Sequence, residues 1–251
     1  MNEYPRCFNA AARLGLTALA LGTLALAARA QQPSEGMEPT ENLPAAGSQW
    51  GIGIGVGFEK KPYRAFDDKA QVLPLIMYAN RYVSVLGPVV DVHLPSAGPL
   101  SLRLRARYAG DGYEAEDSPY LAGMGERKAG FWLGGAATWR NEAANLSAEL
   151  LADASGHSKG TRYKVQVDRR FTTGAFGWTP RVAAQWLDKK YVDYYYGVQA
   201  SEARTGRPRY EGEAVTNMEV GLRLDYAAAP KQDVFVDLSA TRLGSAIKIK
   251  F

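Results

Sequence analysis

The sequence predicts an all-β fold, an antiparallel up-and-down transmembrane β-barrel of ten to twelve strands. Three observations predict it. Successive segments of about ten residues alternate apolar and polar side chains, so that each has one apolar face when extended. Short turns alternate with long connections, and aromatic residues stand toward segment ends at Trp50, Tyr78, Trp139, Trp178 and Trp186. The 26 Gly and 14 Tyr, without an evident helical pattern, suit strands joined by tight turns.

The segment 101–108, S-L-R-L-R-A-R-Y, shows the pattern most plainly. Leu102, Leu104, Ala106 and Tyr108 share one face, and Arg103, Arg105 and Arg107 the other. A periplasmic lipocalin-like barrel would bury the apolar face and wet the arginines. A membrane barrel turns the apolar face to lipid and the arginines to the lumen, with every backbone group paired. Period alone does not separate the two; the aromatic strand ends and the terminal Phe251 favour the membrane barrel.

At the N-terminus, Arg6 and Arg13 precede an apolar run over 14–28 and the small-x-small site Ala28-Arg29-Ala30. Residues 1–30 are therefore expected to be a signal peptide cleaved near Ala30. The run is shorter than the ~20 residues of a spanning helix. Cys7 is the single cysteine and lies inside this segment, so the processed chain is expected to have neither disulfides nor a lipidation site. Without Arg6, Arg13, Arg29 and Glu3, the 30 basic and 26 acidic residues become 27 and 25, a balance that does not suggest nucleic acid as a partner. Residues 31–48 carry three prolines, three glutamates and almost nothing large and apolar, the composition of a disordered periplasmic leader. The barrel is expected to occupy 49–251.

Along the barrel, 50–58 reads W-G-I-G-I-G-V-G-F, with four glycines on one face, which implies a crowded interior. Its spacing fails the dinucleotide fingerprint because positions 56 and 58 hold Val56 and Phe58. A polar loop at 59–69 follows, then strands around Val72 to Met77, a tight reversal at Asn80, an interruption at Gly87-Pro88, and the arginine strand. After a long acidic connection over 110–127 come strands over 129–139, 146–153 and 162–170. Another spans 176–187, a long loop runs over 189–212, and two final strands centre on Val220 to Tyr226 and Val234 to Leu238. Placing the turns near Asn80, Ala97, Asn141, Gly174 and Ala228 on the periplasmic side puts both long connections outside.

Several stretches resemble the MipA/OmpV family of outer-membrane proteins. They are Gly123-Met124-Gly125, the D-A-S-G-H-S-K-G of 153–160, the Y-V-D-Y-Y-Y-G of 191–197 running into Val198, and the G-R-P-R-Y of 206–210. The resemblance covers residues from about 50 to 247. It implies a Gram-negative outer-membrane barrel without catalytic residues. Within such a family it implies, too, a scaffold that brings a lytic murein transglycosylase together with a penicillin-binding synthase, or alternatively a narrow porin. After the family's R-L-G, here Arg242-Leu243-Gly244, only 247–251 remains, short of the ~9 to 11 residues a spanning strand needs, so a weak closing seam is expected.

Enzymatic chemistry finds little footing. Gly156-His157-Ser158-Lys159-Gly160 satisfies G-x-S-x-G, but both flanks are strand-like and no histidine follows Ser158. Two histidines, no later cysteine and no recognisable carboxylate spacing leave metal and cofactor sites without support. The candidate site is instead the charged face: Arg103, Arg105, Arg107, Arg162, Lys164, Arg170, Arg181 and Arg223 with Asp91, Glu149, Asp153, Asp168, Glu219, Asp225 and Asp237. So balanced a set is expected to fill the lumen with ion pairs, whereas a single-sign ring would mark a selective pore. Tyr194, Tyr195, Tyr196, Gly197 and Tyr210, with neighbouring arginines, are candidates either for recognition or for packing a loop over the barrel mouth.

Overall fold

The computed structural model describes residues 17–22, 48–58, 70–96, 98–230 and 232–247. The leader at 31–47, the polar loop at 59–69, the turn residue Ala97 and the last four positions lie outside the described residues. Among the described residues, thirteen strands form one antiparallel sheet. They are β1 (Thr17–Gly22), β2 (Gln49–Phe58), β3 (Ala70–Ala79), β4 (Val83–Leu86), β5 (Val89–His93), β6 (Leu100–Ala109), β7 (Gly130–Arg140), β8 (Asn145–Asp153), β9 (Thr161–Asp168), β10 (Phe171–Thr173), β11 (Phe176–Leu187), β12 (Val215–Ala229) and β13 (Gln232–Arg242). β9 and β10 both pair with β11 along the same edge, Arg181 opposite Asp168 and Trp178 opposite Phe171, so they are one interrupted stave. Pairing runs from β1 in chain order to β9, on to β11, β12 and β13, and back to β1. Among the described residues twelve staves result: eleven fall within 49–251, inside the expected range, and the twelfth, β1, comes from the segment expected to be a cleaved signal peptide, which here holds a place in the ring.

The alternation read from the sequence is the alternation of exposure. On β6 Leu102, Leu104 and Tyr108 are exposed while Arg103 and Arg105 are buried; on β12 Met218, Val220, Leu224 and Tyr226 are exposed and Arg223 is buried. An outer surface of exposed Ile, Leu, Val, Phe and Trp around a charged interior is the inverse of a soluble barrel. No helix among the described residues is long and apolar enough to cross a membrane.

Turn chemistry fixes the register. The Asn80 side chain accepts from the N–H groups of Tyr82 (2.8 Å) and Val83 (2.7 Å), and Asn141 does the same for Ala143 and Ala144. Gly87 has φ +51°, which a side chain would strain, and so permits the two-residue link from β4 to β5. The resulting hairpin is short: β4 meets β3 only from Met77 to Ala79, while β3 continues to Ala70. At the seam, β1 lies between β13 and β2, antiparallel to both, so β13 and β2 run in the same direction.

The connection at 189–212 corrects the sequence reading, which took it as loop. Its first part is a helix, α1 (Lys189–Tyr196), opened by Asp188, whose carboxylate accepts from the Tyr191 N–H at 2.8 Å. Tyrosine has modest helix propensity, and packing rather than propensity holds this helix.

Candidate functional site

Two layers make up the site, a charged interior and an apolar closure at its mouth. In the interior, strand alternation points long cations from neighbouring staves at shared carboxylates. Arg105 donates through Nε (2.8 Å) and Nη2 (2.7 Å) to the two oxygens of Asp91, and through Nη1 (2.5 Å) to Glu149. Arg107 adds a 2.9 Å bond to Glu149, and Arg103 gives Nη2 to the Thr138 hydroxyl at 2.6 Å. Across the barrel, Arg181 grips Asp237 with both Nη atoms (2.9 and 2.8 Å) and Glu219 with Nε (2.9 Å), and Lys164 reaches Glu219 at 3.0 Å. A third group joins Arg170 (3.0 Å) and Arg223 (2.7 Å) to Asp225, with the Arg223 guanidinium 3.7 Å from the centre of the Phe235 ring. Asp168 accepts from Asn145 and Gln166, and Arg162 lies over Trp132 and 3.4 Å from Asp111.

The interior positions singled out in the sequence therefore fall into three groups and two side contacts. Buried charges are tolerable only when paired and hydrogen-bonded, and bidentate Arg–carboxylate geometry is the strongest form of such pairing. Asp153 departs from the set: its carboxylate accepts the N–H groups of Ser155, Gly156, Ser158 and Lys159 and the Ser158 hydroxyl, closing the β8–β9 turn. Ser158 is thereby a turn residue between two strands.

At the mouth, α1 lays Tyr191, Val192 and Tyr195 on a buried cluster with Trp132, Leu151, Leu187, Val215 and Ile247. A second cluster, Tyr113, Leu121, Met124 and Val198, joins the 110–129 connection to the segment after α1, with Tyr196 and Tyr210 against it. Arg127 fastens the two connections by giving Nη2 to Glu202 (2.9 Å) and Nε to the Tyr194 carbonyl (2.6 Å). Arg207 does likewise, donating to the carbonyls of Tyr120, Ala122 and Glu202. Burial pushes the Tyr113 phenol up to about 12. Of the five recognition candidates, Tyr195 and Gly197 are buried, Tyr194, Tyr196 and Tyr210 half-buried, and the Tyr210 hydroxyl bonds the Ala246 carbonyl. Their packing role dominates the geometry. Sequence reasoning missed Trp132, Leu151, Leu187 and Val215 as a set. The available signal was that these apolar residues interrupt the polar face at one end of four strands.

Burial raises the Glu202 carboxyl, but the bonds it accepts from Arg127 and from the N–H groups of Gln199 and Gly125 outweigh this and leave it below its ordinary value. A depressed carboxyl stabilises the folded form above its unfolded pKa, and that contribution is lost as pH falls through the folded pKa. Pepsin cleavage within 198–210 is accordingly expected to rise as pH drops below roughly 4, the reference range of a free glutamate. In Glu202→Gln cleavage is expected to be fast without this step; an unchanged acid profile would show that other groups hold the connections together.

The family described as "MltA-interacting protein MipA" matches residues 52–248. The chain belongs to this family. A MltA-interacting protein of Escherichia coli (strain K12) is 24% identical over 80% of this chain and 83% of its own length. The YiaT protein of the same organism is 24% identical over 72% and 75%. Outer membrane protein OmpV of Vibrio cholerae is 25% identical over 55% and 54%. As a member of the MipA family with this fold, the chain is an outer-membrane protein of a Gram-negative bacterium, and its barrel presents the apolar face outward.

Proposed function

We propose that this MipA-family barrel is a non-enzymatic scaffold that holds or supports murein-remodelling enzymes, a lytic transglycosylase and a penicillin-binding protein among them. The observation that carries the reading is the ion-paired interior from β5 to β13. Charges of both signs are engaged in internal pairs along this wall, and α1 packs its tyrosines onto the strand ends at the mouth, so no ring of one sign is left to select an ion. The name of the Escherichia coli relative supplies the partner class. The folded barrel immobilised on a column is expected to retain a purified lytic transglycosylase at physiological salt, while planar bilayers containing it stay electrically silent. Steady channels whose selectivity changes on charge reversal at Arg105, with no retention of the enzyme, would replace the scaffold by a porin.

A further inference from the structure

The wall is not equally tall all the way round. Among the described residues, the outer half of β3 has β2 on one side and no strand on the other, because the β4–β5 hairpin turns back at Gly87, opposite Ile76. Ile76 stands three residues from the short turn after Ala79, about 10 Å up a band that is roughly 25 Å tall in such barrels. The carbonyl of Ile76 accepts from the Gly87 N–H, so it faces the hairpin. In an antiparallel ladder every second residue faces the same side, which directs Val72 and Pro74 toward the open edge as well. Pro74 has no N–H to offer there. A proline at this place suits an edge and disfavours the addition of a partner strand.

Behind that edge the interior changes character. Gly53 and Gly51 of β2 stand opposite Leu75 and Met77, which puts both side chains on the inner face. The Leu75 side chain reaches the hairpin tip, where a Cβ on Gly87 would lie 3.3 Å from its Cδ2. With Leu86 buried on β4, the described inner face from β2 to β4 carries no charge, in contrast to the arginines and carboxylates from β5 onward. Outside, the same wall is continuous with the lipid-facing belt: Val72 is 62% and Ile76 60% exposed.

We propose that the gap above the β4–β5 hairpin is a lateral opening through which one acyl chain of a neighbouring lipid enters the uncharged sector behind β3. An acyl chain needs neither hydrogen-bond donors nor counter-charge, and the side chains directly behind this edge, Leu75 and Met77, supply neither; the Ser84 hydroxyl lower on β4 is already engaged by His93. The loss of Pro74's donor, which would weaken a docked strand, costs an acyl chain nothing.

The absence of cysteine after Cys7 makes the test direct. The processed barrel, carrying a fluorophore on Leu75→Cys, is folded into phosphatidylcholine vesicles whose acyl chains bear a nitroxide quencher. Ile76→Cys on the outer face and Lys164→Cys on the far inner wall serve as references. Quenching at position 75 as strong as at 76, with iodide in the water ineffective, is the expected result. Quenching no stronger than at 164 overturns the proposal, whether iodide then quenches, as in a water-filled sector, or fails to, as in one sealed by protein. Should Leu75→Cys yield no heat-modifiable folded band, Met77→Cys replaces it under the same outcomes.

Discussion

Arg105→Met is expected to lower the temperature at which the folded gel band is lost by roughly 10 °C, the largest drop of any single interior substitution. The residue serves two carboxylates on two strands, Asp91 and Glu149, and Asp91 has no exposure at all. Removing one partner of a buried pair leaves an uncompensated charge and costs about 3–5 kcal/mol, and each kcal/mol moves a protein of this size by about 2–4 °C. Arg107 can still serve Glu149 at 2.9 Å, but the nearest remaining cation to Asp91 is Arg103 at 3.6 Å. Asp91→Asn added to Arg105→Met should therefore restore a good part of the loss. A single variant that melts within a degree or two of the parent would mean that lumenal water solvates these groups well enough to replace the arginine.

The strands were legible because a membrane barrel writes both its solvents into one alternation, lipid outside and buried charge inside. Segments such as 101–108 and 219–226 could be assigned to faces residue by residue. The pairing partners were not legible. Period two says that Arg105 and Glu149 face the same side, but only the stagger between β6 and β8 brings them within 2.5 Å. The helix at Lys189–Tyr196 escaped notice for a related reason. Its three buried residues, Tyr191, Val192 and Tyr195, follow the i, i+1, i+4 spacing of a helix face, yet three consecutive tyrosines obscure that spacing with ring residues on every side. Membership of the MipA family was visible in the turn and loop motifs. Asp153 and Gly160 show why those motifs exist: one caps the turn with five bonds, and a Cβ on the other would lie 2.8 Å from the Tyr191 amide nitrogen.

A second large effect is expected at the seam. Val56 and Val236 both stand opposite Ala20 of β1, one on each side. While 17–22 holds its place, the two valines are two strand spacings apart, about 9.6 Å, beyond the ~7 Å limit for joining Cα atoms by a disulfide. We propose that cleavage near Ala30 empties this place and that the β2 and β13 edges then meet, because unpaired backbone groups in lipid cost several kcal/mol each. Val56→Cys combined in turn with cysteine at 234, 236 or 238 should cross-link in the processed protein in at least one register, and in none when cleavage is blocked. Absence of cross-linking in every processed pair would mean that another descending segment has taken the position. Since β2 and β13 run the same way, the contact made on processing would be a parallel pair, in a ring whose count of staves has gone from even to odd.

The ion groups have a mechanical consequence for that ring. Arg105 ties β5, β6 and β8 along the inner wall, and Arg181 ties β11, β12 and β13, so each acts as a strut that resists ovalisation of its own arc. From β2 to β4 the described residues supply no such strut; the first tie met is the 2.9 Å contact between Ser84 and His93, between adjacent strands. A barrel stiff over most of its girth and compliant over one arc bends where it is compliant. Lateral pressure from the bilayer is then taken up as a hinge-like flexing of β2 to β4, while the braced staves keep their shape.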